Sequence, residues 1–137
     1  VQENIPIVVG GRGEKRTLPV AARLADGWNV PYVTSKEFLR LNTILDELCR
    51  IENREPDSLH RSVNLHMKMS ATETNEDIGV EISDLANGNL TGGPSQAIKI
   101  INEYRDSGAE RVSIAVRPPI DWEALKAFTQ EVIPAFK

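Results

Sequence analysis

The stretch IPIVVGGRGEKRTLPVAARLADGWNVP, Ile5 to Pro31, decides the fold. It opens on a β-branched run, Ile5 to Val9, which favours extended backbone. Gly10, Gly11 and Gly13 follow, and then Leu18, Ala21, Ala22 and Ala25 recur at helical spacing until Asp26-Gly27 stops them. Trp28 to Pro31 reads as a second short strand. A strand, a helix and a strand in so short a span form one βαβ unit. Its two strands run parallel, because the helix carries the chain back to the starting end of the sheet.

Outward from this unit the alternation continues. Thr34-x-x-Glu37 is a capping-box pattern that opens a long amphipathic helix on Phe38, Leu41, Ile44, Leu45, Leu48 and Ile51, and Asn53 suits a left-handed helix end. Ser62 to Ser70 alternates strictly, with Val63, Leu65, Met67 and Met69 on one side and Asn64, His66 and Lys68 on the other. Asn75 to Leu85 reads as a helix, and Gly93-Pro94 opens another that carries Ala97, Ile98, Ile101 and Tyr104 and ends at Gly108. Arg111 to Val116 is the fourth strand, and a helix from Asp121 to Val132 closes the chain.

The fold class is therefore α/β, four parallel strands alternating with helices in a single domain over residues 1–137. Four βα units cannot close an eight-stranded barrel. An open sheet would leave edges at Ile5–Val9 and Arg111–Val116. Half of a (β/α)8 TIM barrel satisfies both statements.

Composition narrows the function. The chain has 137 residues, 40% of them hydrophobic, enough for one ordinary core. A net charge of −4 offers no basic face for a phosphate backbone, so no nucleic acid is expected as partner. A single cysteine, Cys49, excludes an internal disulfide and suits a reducing compartment. No apolar run approaches the roughly 20 residues of a membrane span, and no signal-peptide pattern opens the chain. The expectation is a cytoplasmic protein without membrane contact. Because the apolar run begins almost at Val1, the chain also reads as a piece of a longer one.

Two groups of residues carry chemistry. Gly10 and Gly11 end a strand where ligands bind in α/β folds, and glycines there let backbone N–H groups approach an anion in front of a helix N-terminus. The spacing matches neither the P-loop nor G-x-G-x-x-G, and a tight turn with positive φ explains the same glycines without a ligand. The second group comes from alternation. In a barrel Val63, Leu65, Met67 and Met69 face the helices, while Asn64, His66 and Lys68 face the lumen, with Lys68 nearest the mouth. By the same count Ser113, Ala115 and Arg117 face inward. Lys68 and Arg117 are thus candidates for an anionic substrate or cofactor tail, against the alternative that this face meets water. His66 has no second ligand at metal spacing, so no metal is expected. No Ser-His-Asp or paired-carboxylate set can be assembled, which leaves hydrolysis unsupported.

Residues 5–29, IPIVVGGRGEKRTLPVAARLADGWN, resemble the strand–loop–helix segment of the bacterial luciferase-like monooxygenase family, most closely its members that use the deazaflavin coenzyme F420. EFLRLNTILDELCRIENREPDSLHRSV, LTGGPSQAIKIINEYRDSGAERV and EVIPAFK resemble later segments of the same family in order. Two positions depart from the family pattern: Pro19 stands inside a helix, which would move the helix start toward Thr17, and Asn53 replaces a glycine. The resemblance implies the C-terminal half of the barrel, with the N-terminal half missing. It implies that the loop of Val9, Gly10, Gly11, Arg12 and Gly13 holds the phosphate of F420 or FMN, with Asn29 close to the cofactor pocket. The implied function is a flavin- or F420-dependent oxidoreductase or monooxygenase acting on a small-molecule substrate, whose catalytic residues lie outside this chain. The alternative is a stand-alone half-barrel that forms a homodimer and binds a phosphorylated ligand without catalysis.

Overall fold

The computed structural model describes residues 4–73 and 88–137. The helix expected at Asn75–Leu85 lies outside the described residues. Among the described residues five strands and four α-helices follow in the order β1 Val8–Gly10, α1 Thr17–Leu24, β2 Gly27–Pro31, α2 Ser35–Ile51, β3 His60–Met69, β4 Asn89–Gly92, α3 Pro94–Asp106, β5 Arg111–Ala115 and α4 Trp122–Ala127.

All the strand pairs are parallel, β1 with β2, β2 with β3, and β3 with both β4 and β5. The ten-residue β3 is the axis of the sheet. Its even-numbered backbone groups point one way: His60 N–H donates to Asp26 O, Asn64 O accepts from Tyr32 N–H, His66 N–H donates to Gly88 O, and Ser70 N–H donates to Gly92 O. Arg61 O accepts from Glu110 N–H on the opposite edge. One edge of β3 therefore serves β2 in its first half and β4 in its second, and the other edge serves β5.

β4 was not read from the residue pattern, although the family resemblance placed a strand-to-helix segment at LTGGPSQ. It is four residues long and continues the line that β2 vacates at Pro31. The two short strands meet end to end at Gly88, whose φ is +60° and where a Cβ would stand 2.6 Å from Tyr32 Cα. β1 is also shifted from the expected Ile5–Val9 to Val8–Gly10. Pro6 has no N–H to give a ladder, and Ile5 and Ile7 stay exposed, with Ile7 held instead by its N–H on Asp26 Oδ2 at 2.7 Å. Asp26 thus ties the chain entering β1 to the start of β2. The last helix departs from the expected Asp121–Val132 as well: α4 gives way to a π turn over Phe128–Val132 and a 3₁₀ turn over Ile133–Phe136. Pro134 removes a donor from this ladder and crowds the carbonyl before it, which widens the preceding turn.

The helices cover one face of the sheet. Trp28, Val30, Val63 and Leu65 are fully buried against Leu18 of α1 and Phe38, Leu41 and Leu45 of α2. Each such side chain contributes roughly 1.5–3 kcal/mol by leaving water. Trp28 stacks on Phe38 at 5.6 Å, Phe38 meets Tyr104 edge-on, and the Tyr104 hydroxyl donates to Val33 O at 2.6 Å. Thr34 caps α2 by accepting Glu37 N–H at 3.1 Å, and Asn53 ends the helix region at φ 55°, both as expected. Arg61 is an unexpected member of the helix-facing layer, held by Asp46 Oδ1 at 2.6 Å. The outer edges of β1 and β5 have no strand partner among the described residues. Ile5, Ile7, Val8 and Val116 are exposed at these edges.

Two outcomes follow from this architecture. Gly88→Ala forces a Cβ onto Tyr32 backbone at a positive φ, and is expected to lower unfolding free energy by at least about 1–3 kcal/mol in urea titration. The unpaired edges predict concentration-dependent self-association or binding of a hydrophobic dye by the 137-residue chain. Sedimentation of a compact monomer that binds no dye contradicts the open-edge arrangement.

Candidate functional site

The C-terminal ends of β1, β2, β3 and β5 gather the expected residues into two neighbouring groups. The first is built on β1 and its loop. Gly10 pairs with Asn29 across the β1–β2 ladder, and beyond it Gly11 is clamped from both sides by β2. Gly11 N–H donates to Asn29 O at 2.8 Å, and Gly11 O accepts the Trp28 indole N–H, also at 2.8 Å. The Gly11 amide is therefore committed to β2. The amides of Arg12, Gly13, Glu14 and Lys15 have no partner among the described residues, and those of Arg12 and Gly13 are the nearest to the strand end.

The glycines also answer to Thr17, the first residue of α1, whose role the sequence reading missed. At Gly11, with φ +128°, a Cβ would lie 3.3 Å from Thr17 Cγ2; at Gly13 it would lie 2.9 Å from Thr17 Oγ1. The helix starts at Thr17, the shift that Pro19 implied, and Pro19 occupies its first turn where no N–H is needed. Gly13 O accepts from Leu18 N–H at 3.0 Å and so fixes the loop to the helix start. A hydroxyl residue opening a helix directly behind clustered glycines was the available signal for Thr17.

Charges brace the outer side of this loop. Arg40 of α2 binds Glu14 and Glu37, both at 2.8 Å. The Arg40 hydrogen bond and, more weakly, the charge of Arg12 hold the Glu37 carboxyl below its usual range. Asn29 lies on the side of β2 away from the helices, where its Nδ2 donates to Asn64 Oδ1 at 3.1 Å. Its own Oδ1 is buried and unpartnered. That acceptor, the loop amides and the α1 N-terminus all belong to the C-terminal ends of β1 and β2 and the loop beyond them. The α3 N-terminus does not offer the same chance, since Glu73 Oε1 already accepts Ser95 N–H there at 2.6 Å.

The second group lies along β3 and β5. Lys68 is exposed on the even side of β3, and Arg117 follows the end of β5. Both line a cleft of about 270 Å³ with Met67, Met69 and Asp121. Tyr32 and His66 lie outside that lining but connect to it through Arg117, and neither was a candidate binding residue in the sequence. The Tyr32 ring lies flat on the His66 ring at 3.8 Å and 3°, and its hydroxyl accepts from Arg117 Nη2 at 3.2 Å. Burial, then the charges of Arg117 and Lys68, hold His66 below the ordinary histidine range. Elsewhere, Cys49 is buried and its thiol is pushed up by burial, so it is a packing residue. Among the described residues no group of three His, Cys, Asp or Glu stands together, and no helix is long and apolar enough to cross a membrane.

Trp28→Phe keeps most of the buried ring but removes the side-chain donor to Gly11 O. It is expected to cost about 1–3 kcal/mol of stability in urea titration. Loss of no more than a few tenths would mean the indole bond does not hold the loop.

No protein-family model matches the sequence, and no curated protein matches it. Solved structures do share the fold. The coenzyme F420 dependent tetrahydromethanopterin reductase from Methanopyrus kandleri superposes with a TM-score of 0.77 at 19% identity, over 97% of this chain and 51% of that one. An F420-dependent secondary alcohol dehydrogenase in complex with an F420-acetone adduct gives 0.77 at 13% identity, over 99% and 50%. The oxygenating constituent of 3,6-diketocamphane monooxygenase from Pseudomonas putida, in complex with FMN, gives 0.64 at 13% identity, over 93% and 48%. The chain spans about half the length of each, and its fold is that of a half TIM barrel.

Proposed function

We propose that this chain is the C-terminal half of a flavin- or F420-dependent oxidoreductase barrel of the luciferase-like kind, and that it anchors the cofactor's phosphate. The observation that carries this reading is the glycine loop at the C-terminal end of β1. Its Gly11 peptide is locked to β2, and its Arg12 and Gly13 amides point no hydrogen bond at the described protein. A side chain at Gly11 or Gly13 would fill the space beside Thr17. The F420-dependent and FMN-bound fold neighbours support the same reading.

In this reading the loop from Val9 to Gly13 holds the phosphate. The amides of Arg12 and Gly13 donate to it, the positive end of α1 and the Arg12 guanidinium balance its charge, and the Thr17 hydroxyl borders it. Asn29 fixes the loop through its backbone carbonyl and offers its buried side-chain oxygen to a donor on the ligand. When bound, F420 or FMN supplies the redox chemistry, hydride transfer or oxygen activation. Residues of this chain bind and orient; those that touch the reacting atoms belong to the other half of the barrel. The open edges of β1 and β5 suit pairing with that half, and they equally suit a second copy of this chain.

The test compares Gly11→Ala with Gly11→Asp in the protein with both barrel halves present. Both replacements share the strain of a positive φ, and only Asp adds negative charge at the anion. Affinities for FMN and F420 are expected to fall at least about tenfold further with Asp than with Ala. Equal affinities for the two variants would remove the phosphate from this loop.

A further inference from the structure

We propose that Tyr32, His66, Lys68 and Arg117 form a separate oxyanion subsite at the mouth, which takes an anionic substrate and takes up a proton at His66 when it fills. The proposal rests on the half-barrel reading only in placing this face in the lumen; it does not depend on which cofactor the glycine loop binds.

Three observations carry it. First, Tyr32 is held at a φ of +54°, a backbone conformation uncommon for a bulky side chain. Its neighbours fix it there: Gly88 abuts its Cα, and Tyr32 N–H donates to Asn64 O at 3.0 Å. The strained backbone delivers the phenol ring flat onto His66 and its hydroxyl onto Arg117. Second, the ion pairs among the described residues engage Arg40, His60, Arg61 and Arg105, but neither Lys68 nor Arg117. Two cations thus share one cleft without a carboxylate partner among the described residues. Asp121 lines the same cleft, but its Oδ1 accepts Ala124 N–H at 3.0 Å and caps α4. Third, the titratable and charged groups around His66 among the described residues are Tyr32 from the end of β2, Lys68 on β3 itself and Arg117 after β5. None of them is a carboxylate.

A bound oxyanion reverses this balance. It compensates Arg117 and Lys68, and the proton that these cations keep off His66 becomes favourable. Protonated His66 then adds its own charge to the site. By linkage, an anion that raises the proton affinity of His66 binds more tightly as pH falls, by the same factor. The window opens at the His66 midpoint of the anion-bound form and closes at that of the free form, which lies below about 6.5.

The chain has two histidines, so NMR of their ring C–H groups follows each separately. Sulfate is the first probe because it does not titrate in this range, with acetate as the carboxylate arm. Saturating sulfate is expected to raise the proton affinity of His66 about tenfold, read apart from the ring signals of His60, which sits on Glu110 at the opposite end of the strands. Lys68→Ala and Arg117→Ala should each weaken sulfate about tenfold or more, and Tyr32→Phe should weaken it less while releasing Arg117. A stronger response to acetate than to sulfate assigns the site to carboxylate substrates; the reverse assigns it to phosphate or sulfate esters. Gly11→Asp should leave the sulfate response intact, so a failed cofactor loop and a failed mouth subsite give different results. An unmoved His66, or sulfate affinity unchanged in both alanine variants, overturns the proposal.

Discussion

The structure depends on one strand having room for three neighbours. β3 extends over ten residues while β2 and β4 manage five and four, so only a stacked pair of short strands can satisfy its even edge. The hydrogen-bond requirement of buried backbone explains why β4 exists at all. Without it, the amides of His66 and Ser70 would lose Gly88 O and Gly92 O as partners. The junction at Gly88 then sets the backbone of Tyr32, and through Tyr32 the positions of His66 and Arg117. A demand for strand pairing in the sheet thus becomes the arrangement of side chains at the mouth.

Much of this was legible in the residues. The alternation in Ser62–Ser70 located both faces of β3 correctly, because period two in a strand leaves no freedom of side. The capping pattern at Thr34 and the left-handed end at Asn53 are local effects, and both hold in the structure. What could not be read was long-range. β4 has no run of β-branched residues, and it is a strand only because β3 offers an edge. Arg61 occupies a layer otherwise apolar because Asp46, fifteen positions earlier on α2, happens to face it. Tyr32 looked like the residue after a strand; nothing nearby announced its positive φ.

The candidate site divides in the same way. Clustered glycines at the end of the first strand marked the loop, but the partition of its amides depends on β2. Only the fold shows that Gly11 gives its N–H to Asn29 and leaves the amides from Arg12 to Lys15 as donors. Alternation put Lys68 and Arg117 on one face, while the stacked pair that joins them comes from two strands and a strained junction.

The two bare edges carry a thermodynamic consequence. A partner that engages the outer edge of β1 is held at a fixed position relative to the outer edge of β5, because both belong to one sheet and only three strand spacings, about 14 Å at ~4.8 Å each, separate them. The second pairing is then intramolecular, and its effective concentration replaces the bulk one. Closure is therefore steeply cooperative: a segment too weak to add to either edge alone can be retained by both. Covalent connection of such a segment to this chain would make ring closure nearly independent of protein concentration, whereas two unlinked halves would separate on dilution.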